Sequence, residues 1–476
     1  MLGKTIHCFG GKSVMAPSIF VLLVLVATIA LLMTDKIPIG VIGLLIPVAL
    51  VLFGILEPKT AFLVLGDPLM LLVACAFVFG GAFFKVGLAQ IIGDSVQVFA
   101  DRFGKGSEAF IIVLAMTVTI VMSSVLPNLG VVAVLLPVFL SISKTTGIAA
   151  GRLLLPVAYA SSVGGLITLI GSPNNLIGRG ALEAAGAGTF GFFEFGWVGI
   201  PLSILCTLYL ATIGRRWLPA QTLVTAAVGI PAKASVNISA GAGSSGIGYS
   251  TDDSALLAAS RGEDTPATAT PAVPRWHQIL TLCMFGAFVL GILLEKQTGI
   301  NAYIIGIIAI AVLVATRALP EKTALSSISW STLFFVGGIL VLAGTIVSTG
   351  ASQLIVDVLV KMLGGSPNPY VLIGGMFLIS LIMTQFMSNT AAAGILAPIA
   401  ISLATGIGGD PRALVMAVVL GASCAFLTAI ATPPNIMVAE PGNIKFVDWI
   451  RSGLPLSVMA FVVCMVIVPL VWPVYA

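Results

Sequence analysis

Two stretches of this chain carry the same interruption of an otherwise apolar run. Asn128 is followed nine residues later by Pro137, and Asn389 nine residues later by Pro398. About forty residues further on, Thr168-Leu-Ile-Gly-Ser-Pro-Asn-Asn175 is answered by Thr428-Ala-Ile-Ala-Thr-Pro-Pro-Asn435. Lipid cannot satisfy freed backbone groups, so amides, hydroxyls, glycines and prolines inside membrane-grade sequence are costly unless they line a protein cavity. At corresponding positions of two halves, they mark the binding site of a secondary transporter built from repeats.

The surroundings are membrane-grade. Of 476 residues, 58% are hydrophobic and 8% charged, which excludes an ordinary soluble domain and leaves an integral, multi-pass protein of the inner or plasma membrane. A net charge of +4 spread over loops offers no basic patch to nucleic acid. Six cysteines and two histidines show neither a disulfide framework nor zinc spacing. Gly11-Lys12-Ser13 lacks the upstream glycine of a phosphate-binding loop, since Ile6 stands there. The first apolar segment is too long for the core of a secretory signal and has a counterpart in the second half, which predicts a retained helix.

Apolar runs long enough to span fall near 17–34, 39–56, 69–87, 152–170 and 196–214, and again near 276–294, 300–316, 331–349, 411–430 and 454–473. Within each half a longer stretch, 108–146 or 369–406, is broken in its middle by the Asn128 or Asn389 cluster. A polar break at mid-depth predicts a re-entrant helical hairpin. Lys59-Thr60-Ala61 aligns with Lys322-Thr323-Ala324 at an offset of 263, Asn128 with Asn389 at 261, and Asn175 with Asn435 at 260. About five spans plus a returning hairpin make an odd number of crossings, so the second copy is inverted relative to the first. The expected architecture is an all-α polytopic membrane protein of two inverted repeats, 1–214 and 276–476. They are joined by a flexible cytoplasmic linker, 215–275, rich in Ala, Gly, Ser, Thr and Pro. With that linker inside, cytoplasmic loops hold fifteen Lys and Arg against seven outside, and both termini lie outside.

The second break reads Thr384-Gln-Phe-Met-Ser388-Asn389-Thr390. Hydroxyls, an amide and the N–H groups of a half-helix suit an anion, and hydroxyl, amide and carbonyl oxygens suit Na⁺. Taken singly, Ser388 and Asn389 are equally ordinary helix N-caps. The duplication is what favours a site. No carboxylate or histidine falls in the middle of an apolar run, which argues against a proton relay and for coupling by a cation held on neutral oxygens. The same absence leaves nothing for an intramembrane enzyme, so the chain is read as a non-enzyme with no cofactor other than Na⁺ as coupling ion.

Ser388-Asn389-Thr390, the Gly171-Ser-Pro-Asn-Asn175 and Ala431-Thr-Pro-Pro-Asn435 loops, and the run from Pro441 to Pro455 resemble the divalent anion–sodium symporter family, carriers of sulfate, dicarboxylates and citrate within the ion transporter superfamily. The likeness implies elevator-type Na⁺-coupled symport of a small anion and a homodimer. It further implies one cation site at Ser123, Asn128 and the Gly171 backbone, and a second at Thr384, Asn389 and the Ala431 backbone. Substrate would meet Asn128, Ser388, Asn389 and Thr390, with Ser172 and Thr432 nearby. The first tip departs from the pattern, reading Pro127-Asn128-Leu129 where two hydroxyls are expected. An arsenite or Na⁺/H⁺ antiporter of the same superfamily is the alternative, although such antiporters tend to carry an acidic residue near the hairpin.

Overall fold

The computed structural model describes residues 16–34, 36–103, 107–219, 274–351, 353–354 and 368–475. These form helices and connecting turns without strands. In the first half they are α1 (Pro17–Thr34), α2 (Ile39–Leu52), α3 (Pro58–Leu63), α4 (Pro68–Lys85), α5 (Leu88–Phe103), α6 (Glu108–Ser123), α7 (Asn128–Thr146), α8 (Ala150–Gly164), α9 (Pro173–Ala184) and α10 (Gly196–Ala211). The second half gives α11 (Arg275–Thr298), α12 (Ala302–Ala315), α13 (Glu321–Ser326), α14 (Trp330–Ser348), α15 (Pro369–Met383), α16 (Asn389–Gly406), α17 (Pro411–Ser423), α18 (Pro433–Ala439) and α19 (Phe446–Val471). Local chemistry sets many of the starts. Proline, which has no N–H to leave orphaned, opens α3, α4, α9, α15, α17 and α18. The side chains of Asp67, Ser107, Asn368 and Asp410 accept backbone N–H groups at helix starts.

The packing carries the repeat. α2 of the first half lies on α14 of the second, and α4 of the first on α12 of the second. Likewise α9 packs on α16 and α17, while α18 packs on α7 and α8. Each pairing becomes the other when the halves are exchanged, as a pseudo-two-fold axis requires. Two layers result. One holds α1–α4 with α11–α14, and the other holds α6–α10 with α15–α19, meeting where α9 and α16 touch α14. The α2–α14 crossing brings backbones together. A β-carbon on Gly338 would lie 2.1 Å from the Gly43 carbonyl oxygen, and one on Gly43 would lie 2.4 Å from Phe335 Cα, the close approach that small residues permit between helices in lipid.

By length and composition, six of the described helices can cross a membrane, and eight shorter ones are apolar. Large side chains such as Leu52, Leu63, Leu470 and Phe386 face outward, as lipid-facing positions do. Two of the sequence-based spans need correction. The runs 152–170 and 411–430 are not continuous helices: α8 stops at Gly164 and α17 at Ser423, and unwound backbone leads from each into the short helices α9 and α18. The unwound residues, Leu166 to Ile170 and Cys424 to Leu427, are as apolar as a helix interior, so hydropathy does not register the break. α5 was also missed, because its charged residues Asp94, Asp101 and Arg102 lower its hydropathy; its counterpart would fall largely outside the described residues. At the repeat boundary, Gly214–Trp217 form a packed 3₁₀ turn and Leu218 is buried, so ordered structure reaches past the expected 214. Residues 220–273, nearly all of the expected linker, lie outside the described residues.

Candidate functional site

The tips of both hairpins and both unwound segments meet at one cavity of about 120 Å³. Asn128, Ser388, Asn389, Thr390, Ser172 and Thr432, expected from sequence to face substrate, all line it. So do Gly171 and Ala431, while Ser123 and Thr384 sit fully buried beside the tips. The remaining wall comes from the other layer, through Val73, Ala76 and Phe77 of α4 and Thr332 of α14. No charged side chain lines it among the described residues.

Each half builds its share with the same parts. Ser172, Ser388 and Thr432 are N-caps whose hydroxyl oxygens accept from Asn174 N, Ala391 N and Asn435 N at 3.4, 3.2 and 3.4 Å. Capping engages the oxygen and leaves the hydroxyl proton available to donate into the cavity. The N-termini of α7, α9 and α16 therefore converge here, those of α7 and α16 with uncommitted first-turn N–H groups, while the first turn of α9 is taken up by Pro173 and by bonds to Ser172; the helix ends make an electropositive setting without a cation. Pro127 replaces the cap at the first tip and supplies no hydroxyl.

The unwound segments are held by paired asparagines. Asn175 Nδ2 donates to the carbonyls of Gly165 and Thr168 at 2.8 and 2.7 Å, and Asn435 Nδ2 donates to those of Ala425 and Thr428 at 3.0 Å each. Thr168 donates to the Ser124 carbonyl of the first tip, and Thr428 donates to the Gln385 carbonyl of the second at 3.4 Å. Asn174, which lines the cavity, reaches across the repeats to Ser423 Oγ at 3.0 Å. Asn175 and Asn435 were visible in sequence as a repeated letter, but their bracing role was not. Asn174 was not singled out at all, for its repeat partner is Pro434 and the duplication that marked the others is absent.

Oxygens gather behind each tip. In the first half, Ser123 Oγ and Asn128 Oδ1 are buried with no hydrogen-bond partner. A β-carbon at Gly165 would lie 2.9 Å from Asn128 Oδ1 and 3.1 Å from the Gly171 carbonyl oxygen; one at Gly171 would lie 2.7 Å from the Gly165 carbonyl and 3.0 Å from that of Ser123. The space is cradled by neutral oxygens, and the two orphaned ones carry a desolvation cost that a small hard cation would relieve. In the second half the Thr384 hydroxyl lies 2.6 Å from Asn389 Oδ1 and 2.8 Å from the Ala422 carbonyl oxygen, so one proton serves three oxygens. Both donor sets fit a hard, oxygen-seeking ion such as Na⁺. No cluster of three or more His, Cys, Asp or Glu suited to a transition metal occurs among the described residues.

A second cavity, of about 390 Å³, lies further along the same helices and is lined by Asp67, Leu69, Gly180, Glu183, Leu340 and Thr345 among others. Leu69 and Leu340, each 5% exposed, line it from α4 and α14. Both lie over Gly180, where a β-carbon would come within 2.2 Å of Leu69 Cδ2 and 2.9 Å of Leu340 Cδ2.

Known proteins share this plan. The fold resembles the YdaH transporter of Alcanivorax borkumensis, with a TM-score of 0.56 at 16% identity over 96% of this chain and 98% of that one. It also resembles MtrF of Neisseria gonorrhoeae, with a TM-score of 0.53 at 16% identity over 98% and 97%. By sequence, an uncharacterized transporter of Methanocaldococcus jannaschii is 30% identical over 70% of this chain and 67% of its own length. The sodium-dependent dicarboxylate transporter SdcS of Staphylococcus saprophyticus is 23% identical over 98% and 88%. The family model described as citrate transporter matches residues 29–419, spanning both hairpins. With the matched region holding both hairpin tips and the first broken helix, this integral membrane protein belongs to the citrate transporter family and is a secondary transporter, not an enzyme.

Proposed function

We propose that the protein couples Na⁺ to the transport of a small carboxylate dianion or citrate by symport. The observation that carries this reading is the chemistry of the cavity: three helix N-termini and donor hydroxyls around a space with no lysine or arginine in its lining. An anion there is held by dipoles and hydrogen bonds alone, and its remaining charge favours occupation of the adjacent oxygen clusters by cations. Anion and cation would thus each lower the other's binding free energy, which is the thermodynamic content of coupling. The name of the related SdcS supports both sodium and dicarboxylate.

In this reading Ser123, Asn128 and the Gly165 and Gly171 carbonyls hold one Na⁺, and Thr384, Asn389, Ala422 and Ala431 contribute to a second. Ser388, Thr390, Ser172 and Thr432 donate to substrate oxygens. Alternating access is of elevator type: the layer containing both hairpins and both broken helices carries the cavity past α4 and α14, which supply an almost wholly apolar wall. The lining holds no titratable group, which favours symport with a metal cation over proton exchange.

Uptake of labelled succinate, citrate and sulfate into proteoliposomes, with Na⁺ and pH gradients imposed separately, tests this. Na⁺-dependent accumulation of a carboxylate is expected. Uptake driven by a pH gradient in Na⁺-free buffer would overturn it.

A further inference from the structure

On another surface of the molecule, the 3₁₀ turn Gly214–Trp217 folds against the end of α10 and the start of α19. Trp217, Ile450, Arg451, Leu454 and Pro455 enclose an open groove of about 440 Å³ there. The turn is built in, not loosely attached. Arg152, paired with Glu108, donates through Nη2 to the Arg215 carbonyl at 2.9 Å and through Nη1 to the Leu218 carbonyl at 3.5 Å. The Trp217 ring rests 6.1 Å from that of Tyr209.

Two chemistries meet around the groove, whose lining holds Arg451 and Trp217, with Arg216 next to Trp217 in the chain. Arg216 and Arg451 are exposed, with Arg215 and Lys445 close by in the chain, and among the described residues none of the four forms an ion pair. The acidic residue at this end of α19 is Asp448, whose carboxylate accepts the Lys445 backbone N–H; Glu440 lies further back, at the end of α18. Away from the arginines the surface is apolar: Ile204 and Leu208 on α10 and Leu454, Val458 and Val462 on α19 are each more than half exposed, in positions that face lipid tails. A tryptophan and long basic side chains belong at the boundary between hydrocarbon and water.

We propose that this groove is a binding site for one anionic phospholipid. Its phosphate lies against the Arg216 and Arg451 guanidinium groups, its glycerol region against Trp217, and an acyl chain along the exposed apolar faces of α10 and α19. Basic pockets beside transmembrane helices suit such head groups, and planar guanidinium matches phosphate through two parallel hydrogen bonds. Because Arg152 ties the turn to α6 and α8, a lipid seated there braces the layer that contains both hairpins. The site does not depend on the transport reading.

The test uses purified full-length protein in phosphatidylcholine nanodiscs, titrated with phosphatidylglycerol of the same acyl chains and followed by native mass spectrometry and thermal unfolding. One retained phosphatidylglycerol and a raised unfolding midpoint are expected. Arg216→Gln with Arg451→Gln should weaken retention roughly tenfold or more, and Arg216→Lys with Arg451→Lys, which keeps the charge but not the paired hydrogen bonds, should fall between wild type and the glutamine pair. Should the glutamine pair not fold, Arg216→Gln alone carries the comparison, with a loss of about fivefold. Retention unchanged in the glutamine variants, or no preference over phosphatidylcholine, overturns the site. An equal midpoint shift from soluble glycerol phosphate would show a free-phosphate site and overturn the lipid assignment.

Discussion

At the scale of single residues, the two proposed cation clusters differ in how the protein's own hydrogen bonds satisfy them, and this makes their variants separable. Ser123 Oγ has no partner although fully buried, so Ser123→Ala deletes an orphan polar atom. Its unfolding midpoint in Na⁺-free buffer should be unchanged or raised, because an unpaired buried group costs about 1–3 kcal/mol, while Na⁺-induced stabilisation is lost. Thr384→Val breaks contacts to Asn389 and Ala422 and should lower the midpoint even without Na⁺, at about 1 kcal/mol per bond. Differential scanning fluorimetry across a Na⁺ titration reads both, and equal behaviour of the two variants would contradict the proposed inequivalence. The substrate side is asymmetric as well. Ser388→Ala and Thr390→Val should each raise KM severalfold, whereas Leu129→Thr, which restores a hydroxyl to the first tip, should improve uptake of a compact dicarboxylate. If the second-tip variants transport normally and Leu129→Thr abolishes uptake of every anion, recognition rests on the first tip instead.

At the scale of elements, the unwound segments hang on very few bonds. Each keeps two carbonyls on a single asparagine amide, so Asn175→Ala or Asn435→Ala should destabilise by about 1–3 kcal/mol and lower Na⁺ affinity without a direct contact to the ion. A Na⁺ half-saturation unchanged in both variants would show that the loops hold their shape without the brace. The packing of Leu69 and Leu340 over Gly180, which we infer seals one cavity from the other, makes another element-scale prediction. Gly180→Val places a branched side chain where Leu69 and Leu340 now lie, so α9 can no longer seat against α4 and α14. Small-to-large changes at packed contacts cost about 1–3 kcal/mol. The expected readout is faster thiol labelling of a cysteine at Thr332 from the Leu69 side, together with loss of transport; labelling unchanged from wild type would mean that these leucines are not the seal.

For the whole molecule, the reciprocal packing of the halves means that each half gathers its own oxygen cluster, but neither completes the central cavity or a layer alone. The charge bias predicts how that assembly is oriented. A cysteine at Arg216 should react with membrane-impermeant maleimide only in permeabilised cells, and one at Lys59 should react in intact cells. The reverse pattern would turn the molecule over in the membrane and leave the site chemistry untouched.

Much of this was written in the chain. The duplicated Asn128–Pro137 and Asn389–Pro398 breaks, set in apolar sequence, determine a membrane protein of two repeats with polar tips, because only an internal cavity makes such residues affordable. The family resemblance adds Ser123, Gly171, Thr384 and Ala431 to those tips, at nearly constant offsets of 261 and 260 between the halves, before any coordinate is known. What the sequence could not contain is everything that depends on which helix lies across from which. The breaks after Gly164 and Ser423 hide in apolar residues that read as helix, and are decided by asparagine amides arriving from ten residues away. Asn174 finds Ser423 across the repeats, and Leu69 and Leu340 meet over Gly180 from separate halves, contacts with no local signature. Periodicity and composition report the solvent each residue prefers; the partners that complete its hydrogen bonds are set only when the inverted halves interlock.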